Sequence, residues 1–191
     1  MLNSCGPEEA SRLRFTPGGY VLELERHELD LTLFEDLTNN GREVLDAGEV
    51  TLAREYLERA VGLWRGRICQ GASIGPKLET ELLYWEELHL ASRRLLLQAR
   101  LRLGEYHQAI AEIRMLLVSN PLCEDLWGML MLAFYRSYRR ADALKVFSVA
   151  RRRFIQELGM EPTSDLQNLH HSILRGDCPL DGFSWLSRSA A

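Results

Sequence analysis

The chain has 191 residues, 46% of them hydrophobic and 26% charged, enough for one sizeable core or a short solenoid. A net charge of −4 and a pI near 5.8 exclude a protein that clamps nucleic acid by its overall charge, so such a contact would need a local patch. No apolar run reaches the roughly 20 residues that cross a bilayer, and the start, Met1-Leu-Asn-Ser-Cys-Gly-Pro, lacks the basic flank and apolar stretch of a secretory signal.

Cys5, Cys69, Cys123 and Cys178 lie far apart without a C-x-x-C pair, which reads as reduced thiols in a cytoplasmic protein. After Pro17-Gly18-Gly19, the alternation of apolar and polar residues predicts one short strand, Tyr20 to Leu24. A single strand is not stable alone, so it either pairs with something missing or lies on the helices as an arm. From Asp30, which can cap it, a helix places Leu31, Phe34, Leu37, Val44 and Leu45 on one face and ends at Gly48. Glu49 opens a second helix carrying Leu52, Ala53, Tyr56, Leu57, Ala60, Leu63 and Trp64, expected to stop at Gly66.

A linker with Gly71, Gly75 and Pro76 leads to a long helix, about Lys77 to Leu103. Its apolar residues cover more than one stripe, as suits a helix sandwiched between neighbours. Gly104 breaks it, and a helix from Tyr106 to Val118 follows. Asn120-Pro121 separates this from helices near Leu122 to Tyr135 and Arg140 to Glu157, with Pro121 expected in the first turn. Leu158-Gly159 is a stop, and Pro162 with Thr163 or Ser164 opens a last helix ending near Leu174. The tail, 176–191, has no periodicity and is expected to be poorly ordered, with Phe183 and Trp185 able to dock.

An offset of 34 residues aligns Leu96 with Leu130, Ala109 with Ala143, Ile113 with Phe147 and Leu116 with Ala150. That period belongs to the tetratricopeptide repeat, a helix–turn–helix unit. Ala53, Leu57 and Ala60 mark an earlier, degenerate unit. The predicted fold is therefore all-α: about seven helices in a tetratricopeptide-like stack of antiparallel pairs, preceded by a short strand. Such a stack leaves a surface that binds a partner. Arg94, Gln98, Tyr135 and Arg139 fall at positions that point into the groove of such repeats. Trp127 reads as structural.

No nucleophile elbow, phosphate loop, H-E-x-x-H or dinucleotide fingerprint occurs, so a binding protein is expected rather than an enzyme, with no cofactor. His170 and His171 point in different directions on a helix and do not converge on a metal; His89 and His107 stand alone. The Glu and Asp residues read as dispersed over exposed helix faces. Arg136, Arg139, Arg140, Lys145, Arg151, Arg152 and Arg153 crowd one helix pair, opposed by Asp142 only. They form either a solvated basic face or a docking site for an acidic protein surface or DNA phosphates.

Several ungapped blocks resemble the bacterial transcriptional activator domain, the helical half of the antibiotic regulatory protein (SARP) family. They are Leu63-Trp64-Arg65-Gly66, Ala99-Arg100-Leu101-x-Leu103-Gly104, Asn120-Pro121-Leu122-x-Glu124, Leu130-Met131-x-Ala133-Phe134-Tyr135-Arg136, Arg140-Ala141-Asp142-Ala143-Leu144 and Glu157-Leu158-Gly159-Met160-Glu161-Pro162. The resemblance implies a winged helix-turn-helix domain before the repeats, whose last wing strand Thr16-Pro17-Gly18-Gly19-Tyr20-Val21-Leu22 resembles. The recognition helix has no counterpart, so DNA binding would belong to a winged-helix domain absent from this chain, whether fragment or stand-alone domain. The expected organisation is an N-terminal arm (1–29), the activator domain (30–175) and the tail. The resemblance further implies protein partners, namely RNA polymerase, its sigma factor or a second copy in a homodimer. The alternative is a repeat adaptor that binds another protein or modulates a full-length regulator.

Overall fold

The computed structural model describes residues 12–25, 28–66, 68 and 75–177. Cys5, Cys69, Cys178, the linker residue Gly71, and Phe183 and Trp185 of the tail lie outside the described residues. Among the described residues, seven helices follow a hairpin: α1 (Asp30–Asp46), α2 (Val50–Gly62), α3 (Pro76–Arg102), α4 (Tyr106–Ser119), α5 (Glu124–Arg136), α6 (Arg140–Leu158) and α7 (Ser164–Arg175). The all-α, tetratricopeptide-like stack is thus what forms.

Why these segments pair is visible in the even-numbered helices. Ala53-Leu57-Ala60 on α2, Ala109-Ile113-Leu116 on α4 and Ala143-Phe147-Ala150 on α6 share the spacing i, i+4, i+7, and all nine residues are buried. That spacing builds one apolar stripe per helix. The small alanines let the partner helix approach, while the larger residue between them fills the gap to its neighbours. In the first pair α1 answers with Gly41, where an added Cβ would stand 2.7 Å from Leu57 Cγ. Only glycine fits there.

Each helix packs on its successor, and α1 also packs on α3, α3 on α5 and α5 on α7. The odd helices therefore form one continuous layer. The even helices make no comparable contact with one another among the described residues, so they stand apart on the other side. Helix α3 is the spine. Its Leu95, Leu96 and Ala99 join the core of α1 and α2, while Leu97 and Leu101 join the larger core of α4 to α7. This double duty accounts for apolar residues all around it.

The turns inside the three pairs are alike. Gly48 and Gly104 have φ of 87° and 79°, and Tyr138 takes their place in the third pair at φ 60°. Each is followed by an N–H donating to a carbonyl five residues back: Glu49 to Val44, Glu105 to Arg100 and Arg139 to Phe134, all at 2.9 Å. The geometry demands a left-handed residue, which glycine supplies at no cost and tyrosine only at about 1–2 kcal/mol.

Several expectations are corrected. The strand expected at Tyr20–Leu24 is one arm of a hairpin, β1 (Leu13–Thr16) with β2 (Gly19–Leu22), in register Leu13 with Leu22 and Phe15 with Tyr20. The partner is local because the two residues Pro17-Gly18 turn the chain back on itself. Leu13, Phe15, Tyr20 and Leu22 all remain exposed, so the hairpin does not lie on the helices as an apolar arm. Helix α2 ends at Gly62, not Gly66, because Trp64 leaves the helix to stack on His89, ring centroids 4.1 Å apart, and to meet Phe34. Asp30 does not cap α1. It is the first helical residue, where it receives a hydrogen bond from Arg65 at 3.1 Å and its charge suits the helix N-terminus. Pro121 precedes α5 by three residues, and its carbonyl accepts a bond from the indole of Trp127.

Candidate partner-binding surface

The four residues expected to face a groove occupy the odd-helix side and the third turn, but they do not form one surface. Gln98 on α3 is buried, 6% exposed, inside the stack. Arg94, one turn earlier, donates to Asp125 Oδ2 at 3.2 Å and so ties α3 to the start of α5. Tyr135 is half-buried against the main core. Arg139 opens α6, stacks its guanidinium over the Phe134 ring at 4.5 Å, and donates to Asp142 at 2.8 Å.

The basic cluster is also different from its sequence appearance. Asp142 is not its only opponent. Arg151 makes a two-point bond with Glu161, at 2.7 and 2.5 Å, and Arg153 pairs with Glu157 at 2.9 Å. Arg140 donates to the carbonyl of Leu174 near the end of α7, and the Arg136 side chain is half-buried. Lys145 stands 3.9 Å from Asp142, and Arg152 is exposed. Glu161 comes from beyond the end of α6, and Glu157 from its last turn. Much of the patch is internally neutralised, which removes the support for a phosphate-tracking face.

Two clefts stand out among the described residues. The smaller, about 290 Å³, lies between the start of α1 and the end of α2, lined by Asp30, Leu31, Phe34, Trp64 and Arg65. Behind it the Trp64 indole covers His89, whose imidazole is pushed from 6.5 down to about 4 by burial and then by the Arg93 charge. An unfolded chain would bind this proton more readily than the folded one. Stability is therefore complete above pH 6.5 and lost as the pH falls towards 4. Unscreened, the effect amounts to about 3 kcal/mol; with the ring only half covered, about 1–2 kcal/mol is expected. Urea unfolding at pH 7.5 and 4.5 should show a loss larger by this amount in the parent than in His89→Gln, and equal losses would contradict it.

The larger cleft, about 560 Å³, opens between α4 and α6 with α5 as its floor. It is the gap left where the even helices stand apart. Leu117, Val118, Trp127, Leu130, Phe134, Val146 and Val149 give it an apolar lining, and Arg114, Lys145, Arg153 and Asp142 stand around it. Val118 is 82% exposed and Val149 52%. Among the described residues no three His, Cys, Asp or Glu side chains gather as metal ligands, and the face of His170 is taken up by Phe147, 4.0 Å away.

A family model described as the bacterial transcriptional activator domain matches residues 29–174, the whole helical stack. The chain belongs to this family. Its relatives include Regulatory protein DnrI of Streptomyces peucetius, 34% identical over 88% of this chain and 62% of that protein. Transcriptional regulator RedD of Streptomyces coelicolor is also 34% identical, over 91% of this chain and 49% of RedD. Among solved structures, Mycobacterium tuberculosis EmbR in complex with a low-affinity phosphopeptide superposes with a TM-score of 0.80 at 28% identity, covering 90% of this chain and 45% of that one. This activator domain thus spans less than two thirds of the relatives it matches, and those relatives are SARP-type transcription regulators.

Two features of the activator domain escaped sequence reasoning. Tyr138 is fully exposed, an aromatic side chain held in a strained turn. The 34-residue offset aligns it with Gly104, and that mismatch was available as a clue. The second is a cluster of charges. Glu105 and Glu112 are not dispersed on exposed faces but, with the more exposed Glu58, converge on Arg54, Arg93 and Arg100 between α2, α3 and α4. Spacing along one helix cannot reveal such a meeting of three.

Proposed function

We propose that this activator domain is the protein-binding effector of a bacterial transcriptional activator, acting in the cytoplasm on RNA polymerase or its principal sigma factor, with a second copy of the chain as a further partner in a homodimer. The observation that carries this reading is the family match along the entire stack, together with relatives that are transcription regulators. The exposed, partly apolar cleft between α4 and α6 supports a role in holding another protein. In this reading residues 1–29 are the arm and 30–175 the effector. The hairpin is the end of a winged-helix unit, and promoter DNA is contacted by that unit rather than by the helices.

The test is capture of purified core polymerase and principal sigma factor on the immobilised domain. Retention of either above that on bare resin and on a heat-unfolded domain is the expected result. Retention of neither overturns the reading. Capture of a full-length regulator in their place would favour the adaptor that modulates another activator.

A further inference from the structure

We propose that the cleft between α4 and α6 is the docking groove for an acidic amphipathic helix presented by a protein partner. The inference rests on the effector reading above and names the surface and the chemistry that it would use.

The shape comes first. Because α3 packs on α5 while α4 and α6 make no comparable contact with each other, the wall of the stack is open along α5. Trp127, Leu130 and Phe134 form a floor of rings and aliphatic carbons, with Val118 and Val149 on opposite banks. An apolar furrow whose floor is closely packed and whose banks carry the exposed Val118 and Val149 suits a third helix that lays an apolar face between them, with side chains at i, i+3, i+4 and i+7. The roughly 560 Å³ of space is ample for the apolar side chains of such a face.

Charge then selects the occupant. The chain as a whole carries −4, yet the charged residues that line the groove are Arg114, Lys145 and Arg153 against Asp142, and since Asp142 pairs with Arg139 and Glu157 with Arg153, Arg114 and Lys145 remain as the cations in surplus. Arg114 lies 5.3 Å from the Phe134 ring and forms no ion pair among the described residues, and the Lys145 side chain is 79% exposed. Cations flanking an apolar furrow attract a helix with carboxylates beside its apolar face and speed its encounter. The same ring argues against a second copy as occupant. A two-fold interface would set the groove of one protomer against that of its partner, placing like charges face to face.

The probe is a fluorescein-labelled 18-residue peptide with leucines at helical a, d and e positions and glutamates elsewhere, compared with a peptide in which lysines replace the glutamates. Fluorescence anisotropy should show saturable, salt-weakened binding of the acidic peptide and at least tenfold weaker binding of the basic one. Val118→Glu, at a position too exposed to disturb the fold, and the pair Arg114→Glu with Lys145→Glu should each weaken the acidic peptide about tenfold or more. Their circular dichroism should be unchanged. Equal binding of the two peptides, undiminished binding by both variants, or a dimer that Val118→Glu dissociates would overturn the proposal. Its failure is separable from failure of the effector reading. Polymerase or sigma factor retained equally by the parent and by Val118→Glu removes the groove and leaves the effector, whereas peptide binding without polymerase or sigma capture does the reverse.

Discussion

Trp127→Ala is expected to lower the unfolding free energy by about 3–5 kcal/mol, the largest loss at any single position considered. The indole is 6% exposed and belongs to the main core, and it floors the gap between α4 and α6. Its Nε1–H donates to the Pro121 carbonyl at 2.9 Å, which pins the α4–α5 turn to the helix that follows. Truncation removes both the apolar area and that bond. Trp127→Phe keeps most of the area and leaves the carbonyl to water, so it should cost only about 1–2 kcal/mol. Urea unfolding followed by circular dichroism separates the two, with the midpoint falling and the slope unchanged if the native state stays compact. A cost below about 1 kcal/mol for alanine would show that the ring is a surface residue and not part of the frame.

The stack was legible for a physical reason. Two helices that approach closely need small residues at fixed points, and Ala109, Ala143, Ala150 and Ala60 announce those points at regular spacing, all of them fully buried. Turns were legible where glycine carried the left-handed residue, as at Gly48 and Gly104, and not where Tyr138 does so at a cost. The end of α2 was misplaced because Trp64 continues the apolar spacing of the helix while its ring is captured by His89, a residue 25 positions away. Nothing within a local window distinguishes a tryptophan on the next helical turn from one that has left the helix to stack.

The candidate surface was less legible than the fold. Register placed Gln98 towards a groove, but α3 is covered on several sides, and a polar residue on such a helix is as readily enclosed as exposed. The basic cluster looks opposed by Asp142 alone when Glu157, one turn past Arg153, is passed over and Glu161, which reaches Arg151 from beyond the helix end, is not considered. The open α4–α6 cleft depends on which helices touch and which do not. That is a property of three dimensions with no one-dimensional trace.

The break in the repeat has its own mechanical consequence, which Arg100→Ala addresses. The alanine pattern recurs after 34 residues between α4 and α6 but not between α2 and α4, so the first pair cannot join the stack by the regular interface. Charge takes over part of that task. Arg100 on α3 donates to Glu58 on α2 at 3.1 Å and to Glu112 on α4 at 2.6 Å, Arg93 also holds Glu112 at 3.1 Å, and Arg54 on α2 reaches Glu105 at 2.9 Å. The side chains of Arg100 and Glu112 are only 19% and 15% exposed. An exposed pair is worth about 0–1 kcal/mol, whereas removing one member of a buried pair costs about 3–5 kcal/mol. This node, sheltered at Arg100 and Glu112 but open at Glu58, should fall between, at about 2 kcal/mol. A double-mutant cycle of Arg100→Ala with Glu112→Ala should show coupling of about 1–2 kcal/mol. Hydrogen exchange should rise first in α1 and α2, because α2 loses the Arg100–Glu58 tie to α3 and keeps only Arg54–Glu105, while α4 to α7 keep their own core. Loosening spread evenly over the chain would mean that Arg100 does not anchor the first pair, and coupling near zero would mean that the Arg100–Glu112 pair adds nothing to the joint of α3 with α4.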